Sequence, residues 1–297
     1  MASPELQRIL EICHDMVIGD IYAMRAESEQ LPPYPKPADI SWEQVDAAGV
    51  EAEWNVPVDC EPGRVVVYCH GGGFATGDIP SWRVLCSHLA RACRARVLSV
   101  GYRLAPEHPY PAALEDALAA YRFVLAEGTD PAQLVLAGDS AGGGLAVSTL
   151  VALRDAGDPL PAAGISLSPW FDLTLSNPTI ETLAEVDPMV TRPMLEEFRA
   201  AYLAGADPRT PTASPLHADV AGLPPLLIQV GGAEVLLGES EAFAKKATAA
   251  GVDVTFEVWD EMIHVWHMFA DELPEAREAI ERIARYVAIH TGGAPSD

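Results

Sequence analysis

The feature that most constrains this chain is the alternation of short β-branched runs with helical stretches over most of its 297 residues. Arg64–Cys69 (RVVVYC) is a continuous apolar run of the kind buried on both faces of a parallel sheet. Similar runs recur at Arg96–Val100, Gln133–Ala137, Ala163–Leu167, Leu226–Val230 and Val254–Val258. Between them the sequence predicts helices at about 80–93, 111–126, 140–155, 239–250 and 274–290. Parallel strands need crossover connections, so this order demands a sheet covered by helices on both faces. Upstream, Ser41–Asp46 and Val50–Val56 alternate around Ala48-Gly49, which predicts an antiparallel hairpin. The fold class is α/β, with one doubly wound, mostly parallel sheet.

Two segments fall outside the alternation. Residues 1–30 read as helix, with Ser3 as N-cap, Pro4 at the first helical position and an apolar stripe of Leu6, Ile9, Leu10, Cys13 and Val17. A proline-rich break, LPPYPKP, follows at 31–37. The second segment, 171–215, is rich in Pro, Asp and Thr and carries one amphipathic helix over Pro193–Leu203. The sheet needs neither piece, so the two are expected to pack together as a helical lid. The expected division is 1–38 as the N-terminal part of the lid, 39–170 and 216–291 as the core, 171–215 as the inserted lid segment and 292–297 as a frayed tail.

Composition excludes several classes of function. A net charge of −24 repels nucleic acid and anionic membrane surfaces. An apolar share of 49% is too high for a disordered chain. Acidic residues interrupt the N-terminal stripe, and no run approaches the roughly 18 apolar residues of a spanning helix. The five cysteines show no CxxC spacing and read as reduced, mostly buried thiols, which points to the cytoplasm. Only three of the 19 basic residues are lysine, which fits either an arginine-favouring genome or salt adaptation.

The chemistry is concentrated in two glycine-rich turns. Gly138-Asp139-Ser140-Ala141-Gly142 fits G-x-S-x-G and lies where a strand gives way to a helix, the setting of a nucleophile elbow. The helix N-terminus adds free amides and positive potential beside the serine. His70-Gly71-Gly72-Gly73-Phe74 ends the first buried run. Its glycines let backbone amides approach a ligand, as an oxyanion hole requires. Gly72, Gly73 and Ala141 are the candidate donors.

A serine nucleophile needs a base and an acid after it in the chain. Past the last strand the candidates for the base are His264 and His267, and His264, at the start of the loop-to-helix segment, is preferred. The acid should follow the next-to-last strand, where Gly231-Gly232-Ala233-Glu234 stands. Glu234 is the candidate and Asp260 its rival. Asp139 lies outside this triad, and its carboxylate is expected to brace the oxyanion loop.

These residues resemble the bacterial hormone-sensitive lipase family of α/β-hydrolases, also called family IV esterases. His70-Gly71-Gly72-Gly73 matches the family's oxyanion motif and Gly138–Gly143 its extended elbow. Tyr102-Arg103-Leu104-Ala105-Pro106-Glu107, with Pro109, Pro111 and Asp116, matches the segment between them. The similarity runs from about 40 to 290. The resemblance implies an eight-stranded sheet, a lid built from the N-terminus and an insertion, and carboxylesterase activity without a cofactor or metal. Two places depart from the family. Where it usually has Asp at 234 and another acid at 238, this chain has Glu234 and Gly238. Where it usually has Gly-x-x-His-Gly-Phe, this chain has Glu261-Met262-Ile263-His264-Val265-Trp266.

The sequence thus predicts a serine carboxylesterase acting on small apolar, short- to medium-chain esters. Trp82, Trp170, Phe171, Met194, Phe198, Tyr202 and Trp266 are the candidate pocket residues. A lactone hydrolase, amidase or deacetylase would use the same triad. A receptor on this fold would dispense with the histidine, as plant hormone receptors resembling the family do. The expected partners are a small ester substrate and, at most, a second copy of the chain in a homodimer.

Overall fold

A computed structural model describes residues 3–15, 20–28, 30 and 32–292. Val17 of the N-terminal stripe and nearly all of the expected tail lie outside the described residues. Eight strands form a single sheet: β1 (Ile40–Asp46), β2 (Glu51–Pro57), β3 (Val65–Cys69), β4 (Arg96–Val100), β5 (Leu134–Asp139), β6 (Ala163–Leu167), β7 (Leu226–Gly231) and β8 (Val254–Trp259). Their order is β1-β2-β4-β3-β5-β6-β7-β8. The β1–β2 hairpin and the β2–β4 pair are antiparallel, and all later pairs are parallel. The helices are α1 (Pro4–Asp15), α2 (Ile21–Ser28), α3 (Ile79–Cys93), α4 (Ala112–Ala126), α5 (Ser140–Ala156), a single turn α6 (Thr179–Thr182), α7 (Arg192–Leu203), α8 (Leu237–Ala249) and α9 (Pro274–His290).

The pleat divides the core in two. Val65, Val67 and Cys69 of β3 face one cluster with α4, α5 and α8, while Val66 and Tyr68 face a second with α3 and α9. Leu134 and Leu136 of β5 point to the first and Val135 and Ala137 to the second. Each such buried aliphatic contributes about 1.5–3 kcal/mol, so both layers stabilise the sheet that seats the site.

The register sets that seat. Cys69 pairs with Gly138, so β3 and β5 end side by side and their next residues, His70-Gly71 and Asp139-Ser140, start adjacent loops. Ligands of open α/β sheets bind beyond these carboxyl ends.

The expected N-terminal helix is two helices. The Ser3 hydroxyl accepts from Leu6 N–H at 3.2 Å, as a cap should. Asp20 caps a fresh start, accepting from Ala23 N–H at 2.9 Å. Helix α2 reaches α7 of segment 171–215, where Ile21 N–H donates to Glu197 Oε1 at 3.1 Å. Arg25 of α2 then spends its guanidinium on the core. It donates to the Ala75 carbonyl at 2.8 Å and the Ala105 carbonyl at 2.7 Å, and pairs with both oxygens of Glu107. Among the described residues no helix is long and apolar enough to cross a membrane.

Candidate active site

Ser140 opens α5 immediately after β5, with φ +51° in the left-handed region. Only small neighbours let strand and helix pass this closely. A Cβ at Gly138 would strike the Gly142 carbonyl, and one at Gly142 would strike the Cys69 carbonyl. Asp139 stands at the N-cap of α5 yet makes no capping bond there. Its Oδ1 instead accepts from Tyr68 O–H at 2.8 Å, Trp82 Nε1–H at 2.8 Å and Gly71 N–H at 3.0 Å. A carboxylate buried in the sheet thereby holds the first glycine of the oxyanion loop. Burial raises its pKa to about 6, against the pull of those same donors and of His264.

The loop turns back through left-handed residues at Gly72 (φ +98°), Gly73 (+62°) and Phe74 (+63°). A Cβ built on Gly71 would lie 3.2 Å from Ser140 Cβ, so loop and elbow are in contact. Ala141 sits in the first turn of α5, where amides have no partner within the helix. The ring of His70 stacks on Tyr102 with centroids 4.2 Å apart, and Tyr102 O–H donates to the His70 carbonyl at 2.7 Å. Burial lowers the His70 pKa to about 4, which keeps the ring neutral. Asp116 accepts from Arg103 N–H at 2.8 Å and from its guanidinium, closing the segment that carries Tyr102.

His264 and Glu234 complete a continuous chain of contacts. Ser140 Oγ lies 2.9 Å from His264 Nε2, and His264 Nδ1 lies 2.8 Å from Glu234 Oε2. Glu234 is fully buried, and its other oxygen, Oε1, accepts from Ser168 O–H at 2.8 Å and Gly231 N–H at 2.5 Å. Burial works against the His264 imidazolium. The hydrogen bond and charge of Glu234, with the charges of Asp187 and Asp139, outweigh it and raise the pKa above the ordinary histidine value. Ser168 ties Glu234 to the residue after His264, since its hydroxyl also accepts from Val265 N–H at 3.0 Å. The serine follows the carboxyl end of β6, a position that could have drawn notice. It has no motif of its own.

The rivals lie elsewhere. Asp260 is exposed just beyond β8. His267 is fully buried with Nε2 2.9 Å from Gln229 Oε1, a packing role. The candidate pocket residues separate into three groups. Phe198 and Tyr202 of α7 cover the oxyanion loop: a Cβ at Gly73 would collide with the Phe198 ring, and Tyr202 stacks on Phe74 at 3.8 Å. Met194 lies half-buried on the same helix; Trp170 donates its backbone N–H to the Ser140 carbonyl at 2.9 Å, while its indole is buried in the core and donates to the Asp172 carbonyl at 3.2 Å. The other three have partners elsewhere. Trp82 supports Asp139 from behind, Phe171 is core against Phe243, and Trp266 is core against Trp259 and His267. Aromatic content alone does not separate wall from core. Among the described residues no group of three or more His, Cys, Asp or Glu side chains could hold a metal ion.

An elbow serine, a glycine loop beside it and a histidine–carboxylate pair at the ends of neighbouring strands define an α/β-hydrolase. The α/β-hydrolase fold family matches residues 66–268. An acetyl-hydrolase of Streptomyces hygroscopicus is 44% identical, over 98% of this chain and 99% of that protein. A carboxylesterase of Mycobacterium tuberculosis is 37% identical, over 73% of this chain and 71% of its own. The crystal structure of an esterase from the bacterial hormone-sensitive lipase family superposes with a TM-score of 0.93 at 45% identity, covering 98% of this chain and all of that one. The chain belongs to the bacterial hormone-sensitive lipase family of α/β-hydrolases and is a carboxylic ester hydrolase.

Proposed function

We propose that the protein cleaves small carboxylic esters with short acyl groups through an acyl-enzyme on Ser140. The carrying observation is the unbroken contact chain Glu234–His264–Ser140. In this reading His264 Nε2 takes the Ser140 proton as Oγ attacks the ester carbonyl, and Glu234 fixes the tautomer and steadies the imidazolium. The amides of Gly72, Gly73 and Ala141 hold the oxyanion as it forms. The imidazolium then protonates the leaving oxygen, which departs as the alcohol. Water gives a proton to the same histidine as it attacks the acyl carbonyl, and the imidazolium returns that proton to Ser140 Oγ as the bond to the acyl carbon breaks and the acid departs.

The short acyl preference rests on the roof of the site. Phe198 lies against Gly73, and Tyr202 stacks on Phe74, so aromatic rings of α7 stand over the oxyanion loop. The acetyl-hydrolase name of the Streptomyces relative agrees with this. We also read the protein as cytoplasmic, since all five cysteines are free.

The test is a panel of p-nitrophenyl esters combined with fluorophosphonate labelling. Acetate and butyrate esters should be cleaved with higher kcat/KM than octanoate. The label should fall on Ser140, and Ser140→Ala should lose about 10³-fold or more in kcat. An octanoate preference would overturn the acyl assignment. A labelled residue other than Ser140 would overturn the mechanism.

A further inference from the structure

We propose that Thr179 and Asp187 of segment 171–215 are positioning residues that fix the acid Glu234 by holding both peptide groups of its neighbour Val235. The inference rests on Glu234 being the triad acid. Val235 N–H donates to Asp187 Oδ2 at 2.8 Å, and the Val235 carbonyl accepts from the Thr179 hydroxyl at 2.6 Å. Asp187 is itself locked, its Oδ1 accepting from Met189 and Val190 N–H at 2.9 Å each. Thr179 is locked by Asn177, whose Oδ1 accepts from Thr179 N–H at 3.0 Å. Gly238 N–H donates to the Thr179 hydroxyl at 3.1 Å, so the first turn of α8 is held by the same side chain.

This arrangement bears on positions 234 and 238, where the chain carries Glu and Gly. Glutamate has one more rotatable bond than aspartate, so its carboxylate meets Nδ1 at 2.8 Å only if the backbone that carries it is held in place. The sheet ends at Gly231, and beyond it the loop is pinned at Val235 by side chains of the inserted segment. At position 238 glycine lets the Asn177 amide pack against the backbone, and a Cβ there would have to displace that amide. The inserted segment thus meets the acid loop at two points, with Asn177 against Gly238 and with Thr179 and Asp187 on Val235. A misplacement of about 1 Å at such a group is enough to cost about a hundredfold in rate.

The test compares Thr179→Val, Thr179→Ser and Asp187→Asn in the full chain, alone and combined with Glu234→Gln. Kinetics use p-nitrophenyl acetate, and fluorophosphonate labelling of Ser140 reports a folded elbow. Thr179→Val and Asp187→Asn should each lower kcat between about tenfold and a hundredfold, with KM within about twofold. Thr179→Ser keeps the hydroxyl and should recover most of the loss. The pH midpoint of kcat/KM should fall in both damaged variants. The charged groups facing His264 are Glu234, Asp187 and Asp139, so Asp187→Asn should move it by charge as well and Thr179→Val by geometry alone. In the Glu234→Gln background neither substitution should lower kcat further. Effects that multiply fully in that background, or a lower melting temperature with unchanged kcat and midpoint, would overturn the proposal. Near-normal kcat in Glu234→Gln alone would instead overturn the acid assignment and the proposal with it.

Discussion

The oxyanion loop and the acid loop do comparable work at opposite ends of one contact chain, but they are held in different ways. The oxyanion loop is braced from inside the core. Asp139, adjacent to the nucleophile, holds Gly71, and Tyr102 holds His70. These supports come from the same sequence motifs as the site itself. The acid loop is braced from outside the sheet's alternation, by Ser168 just past β6 and by Thr179 and Asp187 of the inserted segment. A loop held by the core can be built once with the fold. A loop held by an insertion shifts when the insertion changes.

Breaking the acid arm itself should have the largest effect. Glu234→Gln should cut kcat by about 10³-fold or more with little change in KM, because the imidazole loses its tautomer and its counter-charge. The wild-type midpoint of kcat/KM should lie above the ordinary histidine value, since the raised His264 pKa keeps the base protonated to higher pH. Glu234→Gln should move that midpoint down. Asp260→Asn, on an exposed residue, should leave both close to wild type; steady-state kinetics from pH 5 to 9 would reverse the assignment if Asp260→Asn proved the dead variant.

The core-held arm comes next. Asp139→Ala leaves buried donors on Tyr68, Gly71 and Trp82 without an acceptor, and kcat should drop about 10²-fold. Unlike Glu234→Gln, it should change kcat far more than the pH midpoint, and a midpoint shift as large as that of Glu234→Gln would erase the distinction between the two arms. Ser168→Ala removes one of two contacts to Glu234 Oε1 and the acceptor for Val265 N–H. About tenfold in kcat is expected, and an unchanged kcat would show that Gly231 alone suffices. Arg25→Ala should be mildest, about threefold in kcat. Its ion pair with Glu107 is half-exposed, and only the bonds to the Ala75 and Ala105 carbonyls reach toward the oxyanion loop. A hundredfold loss there would move the control of that loop from the core to α2.

The same contrast explains how much could be read from the sequence. The strands and most helices were legible to within a residue or two, because a sheet buried on both faces writes continuous apolar runs between periodic helices. Ser140, His264 and Glu234 were legible from topology, as each follows a strand at the carboxyl edge. Asp139 was legible because the elbow motif encloses it. Ser168, Thr179 and Asp187 were not, since a lone serine, threonine or aspartate in a loop has no spacing that ties it to a partner 48 to 97 residues away. The pocket aromatics could not be sorted from the sequence for another reason. Phe171 and Trp266 have the apolar bulk of a pocket wall, and only packing distinguishes a wall from the core behind it.

Ser140, Phe74, Ser168 and Val265 all adopt left-handed backbone, with φ between +44° and +63°. A non-glycine residue in that region costs about 1 kcal/mol or more, so the neighbourhood of the triad is strained relative to the sheet beneath it. On heating, the parts with the least net stability open first. The order of failure under heat should therefore run from the site outward: ester hydrolysis should fade several degrees below the temperature at which the far-ultraviolet circular dichroism of the sheet and helices collapses. Coincident transitions would mean that the left-handed residues are held as firmly as the β-strands on which they sit.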